Sequence, residues 1–568
     1  MHWRYKSTQV PQTLPELKNL LLETREIKEP ESFFNPPSPF DITTKQLGIN
    51  QNELKKAIKL ISSVLSSQSS VLVFGDYDAD GICATAILWQ TLHSLGAQVM
   101  PFIPDRARHG YGLSNSAIDD ILSESKPDLI ITVDNGIVAH KEVKRLKTEG
   151  IQVIITDHHQ PEDKLPAADA VVHSTKICGA SVAWIMAREL LHSQDQKSKI
   201  PARNATHSVA GGKDQKLFLE NQLDLAGIAT VTDQMKLVDE NRSFAKFGIE
   251  ALKKTKRPGL LALFADAQVT QAELDTYHIN YVIGPRINAM GRLENGLEAL
   301  RLLSTKDEGR STQLAKKLGQ VNSQRQDITH LALEQAKLNV ENWQDENLII
   351  VASSEFHEGV IGLIAGKLVD EFYKPAIAIS LHGDMAKGSA RSVKGFNITE
   401  LLRQVSDELV SVGGHPMAAG FSVASSKLEV ISSKLKQLAK AQLSADLLER
   451  SLKIECELPA ELIGEKLIEL IDQFAPFGNG NRQPVFALKD WQIIDAKPIG
   501  REAKHLKLVI KPSPSTIHHP PFTALAWNQG NLIKELQPGK QIDLAATVEI
   551  NEWNGRRSVQ LNVRDIKS

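Results

Sequence analysis

The chain has 568 residues, 42% hydrophobic and 24% charged, which excludes a disordered or fibrous protein and suits about three or four globular domains. A net charge of −2 does not mark a nucleic-acid binder, yet clustered carboxylates could offset a basic groove, so charge decides nothing here. No apolar run approaches the ~20 residues that cross a bilayer, and the N-terminal MHWRYKSTQVPQTLPELKNLLLE lacks a signal-peptide core. Cys83, Cys178 and Cys456 fit no zinc spacing and read as thiols in a reducing cytoplasm.

In chain order, residues 1–50 are Pro-rich and weakly periodic, and read as an N-terminal arm. From Val71 the pattern alternates strand and helix: VLVF (71–74), the helical ICATAILWQTLHSLG, then QVMPFI, LIITV (129–133) and VIIT (153–156). Such alternation predicts a parallel sheet covered by helices on both faces, with ligands at the carboxyl ends of its strands. The polar stretch near 192–222 reads as a surface loop, and Glu308 to Trp343 as a long connecting helix. NLIIVAS, EGVIGLIAGKLVDEF and PAIAIS then predict a second, smaller α/β unit ending near residue 440. Over 480–568, LKLVIK, TALAW, IDLAATVEI and SVQLNV, with Asn554-Gly555 as a hairpin turn, predict a small β-barrel such as an OB-fold. The expected division is an arm (1–50), a parallel-sheet catalytic domain (51–305), a connecting helix (306–345), a smaller α/β domain (346–440) and a nucleic-acid-binding barrel (450–568).

Gly75-Asp76-Tyr77-Asp78-Ala79-Asp80-Gly81 directly follows the strand VLVF. Three carboxylates at alternate positions repel one another unless a cation neutralises them. An EF-hand opens the same way but needs a Glu at position twelve, where Ile87 stands. A solvated acidic turn is the other alternative. Two further strands end alike, LIITV in Asp134-Asn135-Gly136 and VIIT in Asp157-His158-His159. One strand-end Asp is commonly a helix cap, but three such ends in one sheet converge. Asp233, after a helical apolar stretch, is a fourth candidate. Carboxylate and imidazole donors without thiolate favour Mn²⁺ or Mg²⁺, and there are enough for two ions, a recurrent arrangement in phosphoester cleavage.

Asp157-His158-His159, GDYDADG, VDNG and the Asp233 segment resemble the motifs of the DHH phosphoesterase superfamily. The resemblance implies that Asp78, Asp80, Asp134, His158 and Asp233 hold two metal ions, with Asp76 as a further ligand or a carboxylate that orients one. It implies catalytic roles for His159, at the scissile phosphate, and Asp157. Beyond the metal motifs, Pro104-Asp105-Arg106, Gly110-Tyr111-Gly112 and GPRINAMGR (284–292) are similar to segments of the RecJ family. HEGVIG (357–362), GSARS (388–392) and GGHPMAAG (413–420) resemble its DHHA1 domain, and PFGNGNRQPVF (476–486) the start of its OB domain. Membership would imply a single-stranded-DNA-specific exonuclease that degrades 5′→3′ to 5′-mononucleotides in DNA repair and recombination. It would act as a monomer, with no membrane association. Its substrate would be a free 5′ end, and a single-strand-binding protein and a recombination helicase are candidate partners.

Arg106, Arg286, Arg292, Ser389, Arg391, Ser392, Gly414 and His415 are the candidate substrate contacts, and the resemblance implies a 5′-phosphate pocket, for which Arg286, Ser389 and Arg391 are expected. GSARS offers amides, hydroxyls and a guanidinium suited to a terminal phosphate, and glycines beside His415 let backbone approach a ligand. A plain strand turn and surface arginines are the bland alternatives. Among the barrel aromatics Trp527 reads as core, while Trp553 is left open between core and base stacking beside Arg556-Arg557. Two segments depart from the family pattern: VVHSTKICGASVAW (171–184) is shortened, with His173 for an Asn, and Arg25-Glu26-Ile27 replaces an Arg-Gly pair. Rivals are a DHH phosphodiesterase of short oligoribonucleotides or cyclic dinucleotides, a DHH pyrophosphatase and a non-catalytic relative in a replication complex. The pyrophosphatase pattern has His where Phe74 stands.

Overall fold

A computed structural model describes residues 1–195, 212–338, 343–513, 520–553 and 555–567. They form two units, Pro37–Leu448 and Met1–Pro36 with Glu449–Ser568.

In the larger unit, five parallel strands lie in the order Gln98–Phe102, Ser70–Phe74, Leu129–Val133, Gln152–Asp157, Ala170–His173. Both faces are covered, and successive side chains serve opposite cores. Val71, Val73, Leu129, Ile131 and Ile154 enter one core, and Leu72, Phe74, Ile130, Val153 and Ile155 the other. The helix Ala79–Ser94 is apolar on nearly every side because it packs between the sheet and the helices Gly179–Asp195 and Gly212–Thr232. The register pairs Phe74 with Thr132, Val133 with Thr156 and Asp157 with His173, so three acidic loops leave the sheet at one edge.

The helix Glu308–Leu338 leads to a second sheet. Its order is Ser411–His415, Ala418–Ala424, Met385–Arg391, Ala376–His382, Ile349–Ser353; only the last pair is parallel. The polar stretch expected as a loop near 192–222 is helical at both ends, to Asp195 and from Gly212, and 196–211 lie outside the described residues. Trp343, expected to close the long helix, begins a short 3-10 turn instead.

In the other unit, five strands close a barrel in the order Phe486–Ile499, His505–Pro512, Phe522–Ala526, Arg556–Lys567, Gln541–Trp553. The first is not legible as a strand in sequence, because bulges after Leu488 and Ile493 interrupt its alternation. Residues 1–36 are not a free arm. His2–Tyr5 pairs in parallel with Ser451–Ile454, and the helix Leu14–Thr24 buries Leu17, Leu20 and Leu21 in one core with Leu467, Ile471 and Phe474. Arg25 donates to Glu455 at 2.8 Å and Asn481 at 2.6 Å. Glu26 takes φ +56°, the left-handed conformation that favours the glycine of the family pattern. Trp527 corrects the sequence reading: it is 46% exposed, its ring edge-on to His505 at 4.8 Å, while Trp491 occupies the core. The Trp553 side chain, Asn554 and the Arg556 side chain lie outside the described residues. No described helix is long and apolar enough to cross a membrane.

Candidate metal centre

Each loop at the sheet edge presents acid for a local reason. Asp78 caps the helix Ala79–Ser94, accepting from the Gly81 amide at 3.0 Å, while Asp76 accepts from the Tyr77 amide. Asp80, in the first turn, accepts the amides of Gly179 and Ala180, each at 2.7 Å, at the start of the helix Gly179–Asp195. Two helix N-termini thus favour negative charge here. Asp134 sits at φ +63°, a conformation Asp tolerates better than most residues, which turns the chain sharply after Val133. Asp233 follows the helix Gly212–Thr232 and shares a small cleft with Asp78, Ala79, Asp80, Thr232 and Asn288.

His158 joins these groups. Its Nε2 lies 3.2 Å from Asp134 Oδ1, 3.6 Å from Asp80 Oδ2 and 3.7 Å from Asp233 Oδ2. Burial, with the neighbouring His159 charge, pushes it down to about 3, so the ring is neutral and these are not ion pairs. Among the described residues, three sets can each converge on an ion: Asp134, His158 and His159; Asp80, His158 and Asp233; Asp76, Asp78 and Asp134.

The electrostatics fit divalent cations. Burial and then neighbouring carboxylates push Asp76 up to about 8, Asp80 to about 6 and Asp233 to about 9, and hold Asp134 well above its usual value. Asp134 Oδ1 and His158 Nε2 are buried without hydrogen-bond partners. Carboxylates crowded this way, with orphaned donor atoms facing one another, are satisfied by a cation rather than by protons. Oxygen and imidazole donors without thiolate suit Mg²⁺ or Mn²⁺.

Asp157 stands apart from these sets. Its carboxylate accepts from the amides of Ile137, His158 and His159 and from His159 Nδ1 at 2.8 Å. These bonds fix the carboxylate and, through it, the orientation of the His159 ring. Burial would lower His159, but the hydrogen bond and charge of Asp157 raise it to about 9. The far nitrogen, Nε2, meets the Tyr111 hydroxyl at 2.9 Å. His415, on the Ser411–His415 strand, lies nearly parallel to His159 with ring centres 6.3 Å apart. Gly414 precedes it at φ +143°, where a Cβ would strike Ala418 O and Ala419.

The arginine candidates divide. Arg106 lies over the Tyr77 ring at 4.2 Å and donates to Gly291 O. Arg292 is pushed down to about 9, first by burial and then by Arg106, Arg391 and Arg325, so these guanidiniums crowd together. Arg391 donates to Ser389 Oγ at 3.1 Å. Arg286 instead donates to Val282 O, with Asp266 3.7 Å from its Nε. The buried Ser392 hydroxyl donates to Phe396 O at 2.7 Å and is committed to its own turn.

Several groups were missed in the sequence. The Gly179 and Ala180 amides come from the 171–184 segment, where His173 also donates from Nε2 to His159 O at 2.7 Å. A Cβ on Gly179 would lie 2.4 Å from Asp134 Oδ1, so only glycine fits. Asn288 Oδ1 accepts the Ala79 amide at 2.7 Å and Tyr111 reaches His159. The first two act through backbone, which no side-chain pattern announces; Tyr111 and Asn288 lie in the family-like segments 110–112 and 284–292, but their contacts are long-range and the motifs alone do not assign them. Arg325 lies in a long helix without a motif.

Comparison with known proteins agrees with this architecture. Family models match at 70–212 (DHH family, N-terminal domain), 345–441 (DHHA1 domain) and 454–565 (RecJ OB domain). The single-stranded-DNA-specific exonuclease RecJ of Bacillus subtilis is 34% identical over 524 residues, covering 90% of this chain; the chain spans 63% of that relative's length. The protein of the same name from Thermus thermophilus is 30% identical over 521 residues, covering 90% of this chain and 71% of its own. A crystal structure of RecJ with Mn²⁺ from Thermus thermophilus superposes with a TM-score of 0.80 and 27% identity, covering 100% of this chain and 79% of that one. With three matching domains in order, a shared fold and 30% identity to a relative it spans by more than two thirds, the chain belongs to the RecJ family.

Proposed function

We propose that the protein is a single-stranded-DNA-specific exonuclease that degrades 5′→3′ to 5′-mononucleotides by two-metal phosphodiester hydrolysis. One observation carries the reading: a crowded carboxylate–imidazole cluster adjoins a crowd of guanidiniums. Arg106 acts electrostatically on Asp76 and lies over Tyr77, between Asp76 and Asp78. Arg292 feels Asp78 on one side and Arg106, Arg391 and Arg325 on the other. An anion site beside a cation site suits a terminal 5′ phosphate held next to the first phosphodiester.

Asp76, Asp78, Asp80, Asp134, His158 and Asp233 would hold two Mn²⁺ or Mg²⁺ ions. Such ions, when bound, lower the pKa of water and spread the charge that builds on the phosphate. The chain's own groups do the rest. Arg106, Arg292, Ser389 and Arg391 grip the 5′ phosphate, and bidentate guanidinium contact orients it. His159, held protonated by Asp157, would bring its positive ring to the scissile phosphate, its Nε2–H donating to the Tyr111 hydroxyl and its face beside His415. Water oxygen joins phosphorus, the bond to the 3′ oxygen of the first nucleotide breaks, and that oxygen takes a proton. The shortened strand keeps the phosphate, so every turnover regenerates the recognised end. The barrel, with Trp527 exposed and its ring edge-on to the half-buried His505, holds the strand without reading sequence. On this reading the chain works as a cytoplasmic monomer in DNA repair and recombination, on strands presented by a single-strand-binding protein or a recombination helicase.

The test is a nuclease assay on end-labelled single and double strands, with and without a 5′ phosphate, in Mg²⁺ or Mn²⁺. Mononucleotides should leave the 5′ end of single strands only. Full activity of H158A, or equal cleavage of a dinucleotide and a long strand, overturns the proposal.

A further inference from the structure

Three of the four groups assigned to the 5′ phosphate meet at one turn. Arg292 lies in the helix Gly284–Leu293, and Ser389 and Arg391 in the strand Met385–Arg391. Against both lie residues 357–362, which lead into the helix Ile361–Phe372. Arg292 Nη1 donates to Gly359 O at 3.1 Å, and a Cβ on Gly359 would lie 2.1 Å from Arg292 O. A Cβ on Gly362 would lie 2.8 Å from Arg391 Nη2 and 3.0 Å from Ser389 Oγ. Glu358 pairs with Lys387 of the same strand at 2.7 Å. Arg292 and Arg391 carry like charges that act on each other, so their spacing is set by what they rest on rather than by mutual attraction. A single side chain shapes that support. His357 Nδ1 accepts the Gly359 amide at 3.0 Å, and the Val360 amide donates to His357 O at 3.0 Å. Both peptide groups flanking Gly359 are thereby fixed, and its carbonyl is left aimed at Arg292. A side-chain acceptor two residues before the amide it holds is the pattern of an Asx turn, here with an imidazole nitrogen in place of the Asn oxygen.

From this chain of contacts we infer that His357 is a positioning residue for Arg292, and through it a determinant of the preference for a phosphorylated over a hydroxyl 5′ end. The inference rests on the 5′-phosphate reading above. Guanidinium contact with a phosphate depends on direction as well as charge, so an Arg292 that has lost its carbonyl rest keeps its charge but forfeits the aimed bond. The His357 ring is exposed, so it adds little to the core, and its one recorded side-chain bond is the one to the Gly359 amide. It acts through backbone and needs no contact with the strand.

The test compares wild type, H357A, H357N and H357Q as full chains in Mn²⁺, on a single-stranded oligothymidylate with a 5′ phosphate and on the same strand with a 5′ hydroxyl. H357A should lower the phosphate-over-hydroxyl ratio of kcat/KM by about tenfold, the loss of one well-directed charge-assisted hydrogen bond. The loss should appear in KM for the phosphorylated strand, with kcat and the hydroxyl strand changed by less than about threefold. Asn places an oxygen where Nδ1 stands and should restore the ratio. Gln carries its amide one carbon farther, where Nε2 stands, and should not. An unchanged ratio in H357A, equal losses on both strands, or an Asn variant no better than Ala would each overturn the inference. If H357A does not fold, H357N against H357Q makes the same comparison. A wild type indifferent to the 5′ phosphate would defeat the underlying reading and the inference with it, whereas the other failures leave that reading standing.

Discussion

Replacing Asp134 with Asn should stabilise the metal-free protein while destroying its activity. Asp134 shares a space with Asp76 and Asp78 in which their ligand oxygens lie within 4.8 Å of one another. At an effective dielectric of 20, two unit charges at that separation repel by about 3.5 kcal/mol. Protons shared among the carboxylates remove part of this, so with two neighbours and half the repulsion surviving, the relief is about 3.5 kcal/mol at pH 8. Asn has nearly the same shape and is equally tolerant of φ +63°, so the substitution adds neither a cavity nor backbone strain. For a unit the size of Pro37–Leu448 the gain corresponds to a rise in Tm of about 3–6 °C in EDTA. The same change should cut exonuclease turnover by about 100-fold or more and abolish most of the Tm gain on adding Mn²⁺. Thermal melts in EDTA and in Mn²⁺, paired with steady-state nuclease assays, measure both sides. A D134N protein no more stable than wild type in EDTA would refute the claim that the carboxylates are held together under repulsion.

The pH dependence follows from the same crowding. Asp76, Asp80 and Asp233, raised to about 8, 6 and 9, keep protons in the folded protein that the unfolded chain has lost, so metal-free stability falls as pH rises through those values. His159, raised to about 9, works in the same direction, while His158, lowered to about 3, opposes it only below its ordinary pKa of about 6.5. The Tm gain from Mn²⁺ should therefore be larger at about pH 9 than at about pH 7, and equal gains would contradict it. Gly179→Ala, whose Cβ would meet the Asp134 carboxylate, should cost about 1–3 kcal/mol and weaken metal binding; calorimetric titration with Mn²⁺ checks this. Glu26→Gly, relieving φ +56°, should stabilise the barrel-containing unit by about 0.5–1 kcal/mol in chemical denaturation without altering kcat. Trp527→Ala should leave the melting temperature nearly unchanged, because the ring is half exposed, yet raise Kd for long single strands about tenfold by fluorescence anisotropy.

The parallel sheet and its metal-binding edge were legible in the chain because both are local. Runs such as LIITV bury both faces, and in a parallel sheet the residues that follow such runs must emerge at one edge. That makes Asp78, Asp80, Asp134 and His158 neighbours before any coordinates are known. Tertiary structure decided what depends on partners distant in sequence. Asp157 belongs to the same motif as His158, yet only the fold shows its carboxylate enclosed by the Ile137, His158 and His159 amides and bonded to the His159 ring. Arg286 and Arg292 share one short helix, but the helix turns one toward Asp266 and the other into the guanidinium cluster. Residues 1–36 look like an arm because their apolar positions lack long periodicity, and they fold only against Glu449–Ser568, more than 400 positions away. Trp527 reads as core from its aromatic side chain, but the buried positions of its strand are Phe522, Ala524 and Ala526, so the alternation carried one residue further turns Trp527 outward. Periodicity and strand-end chemistry determined which groups could meet a metal; the long-range contacts decided which of them are oriented to use it.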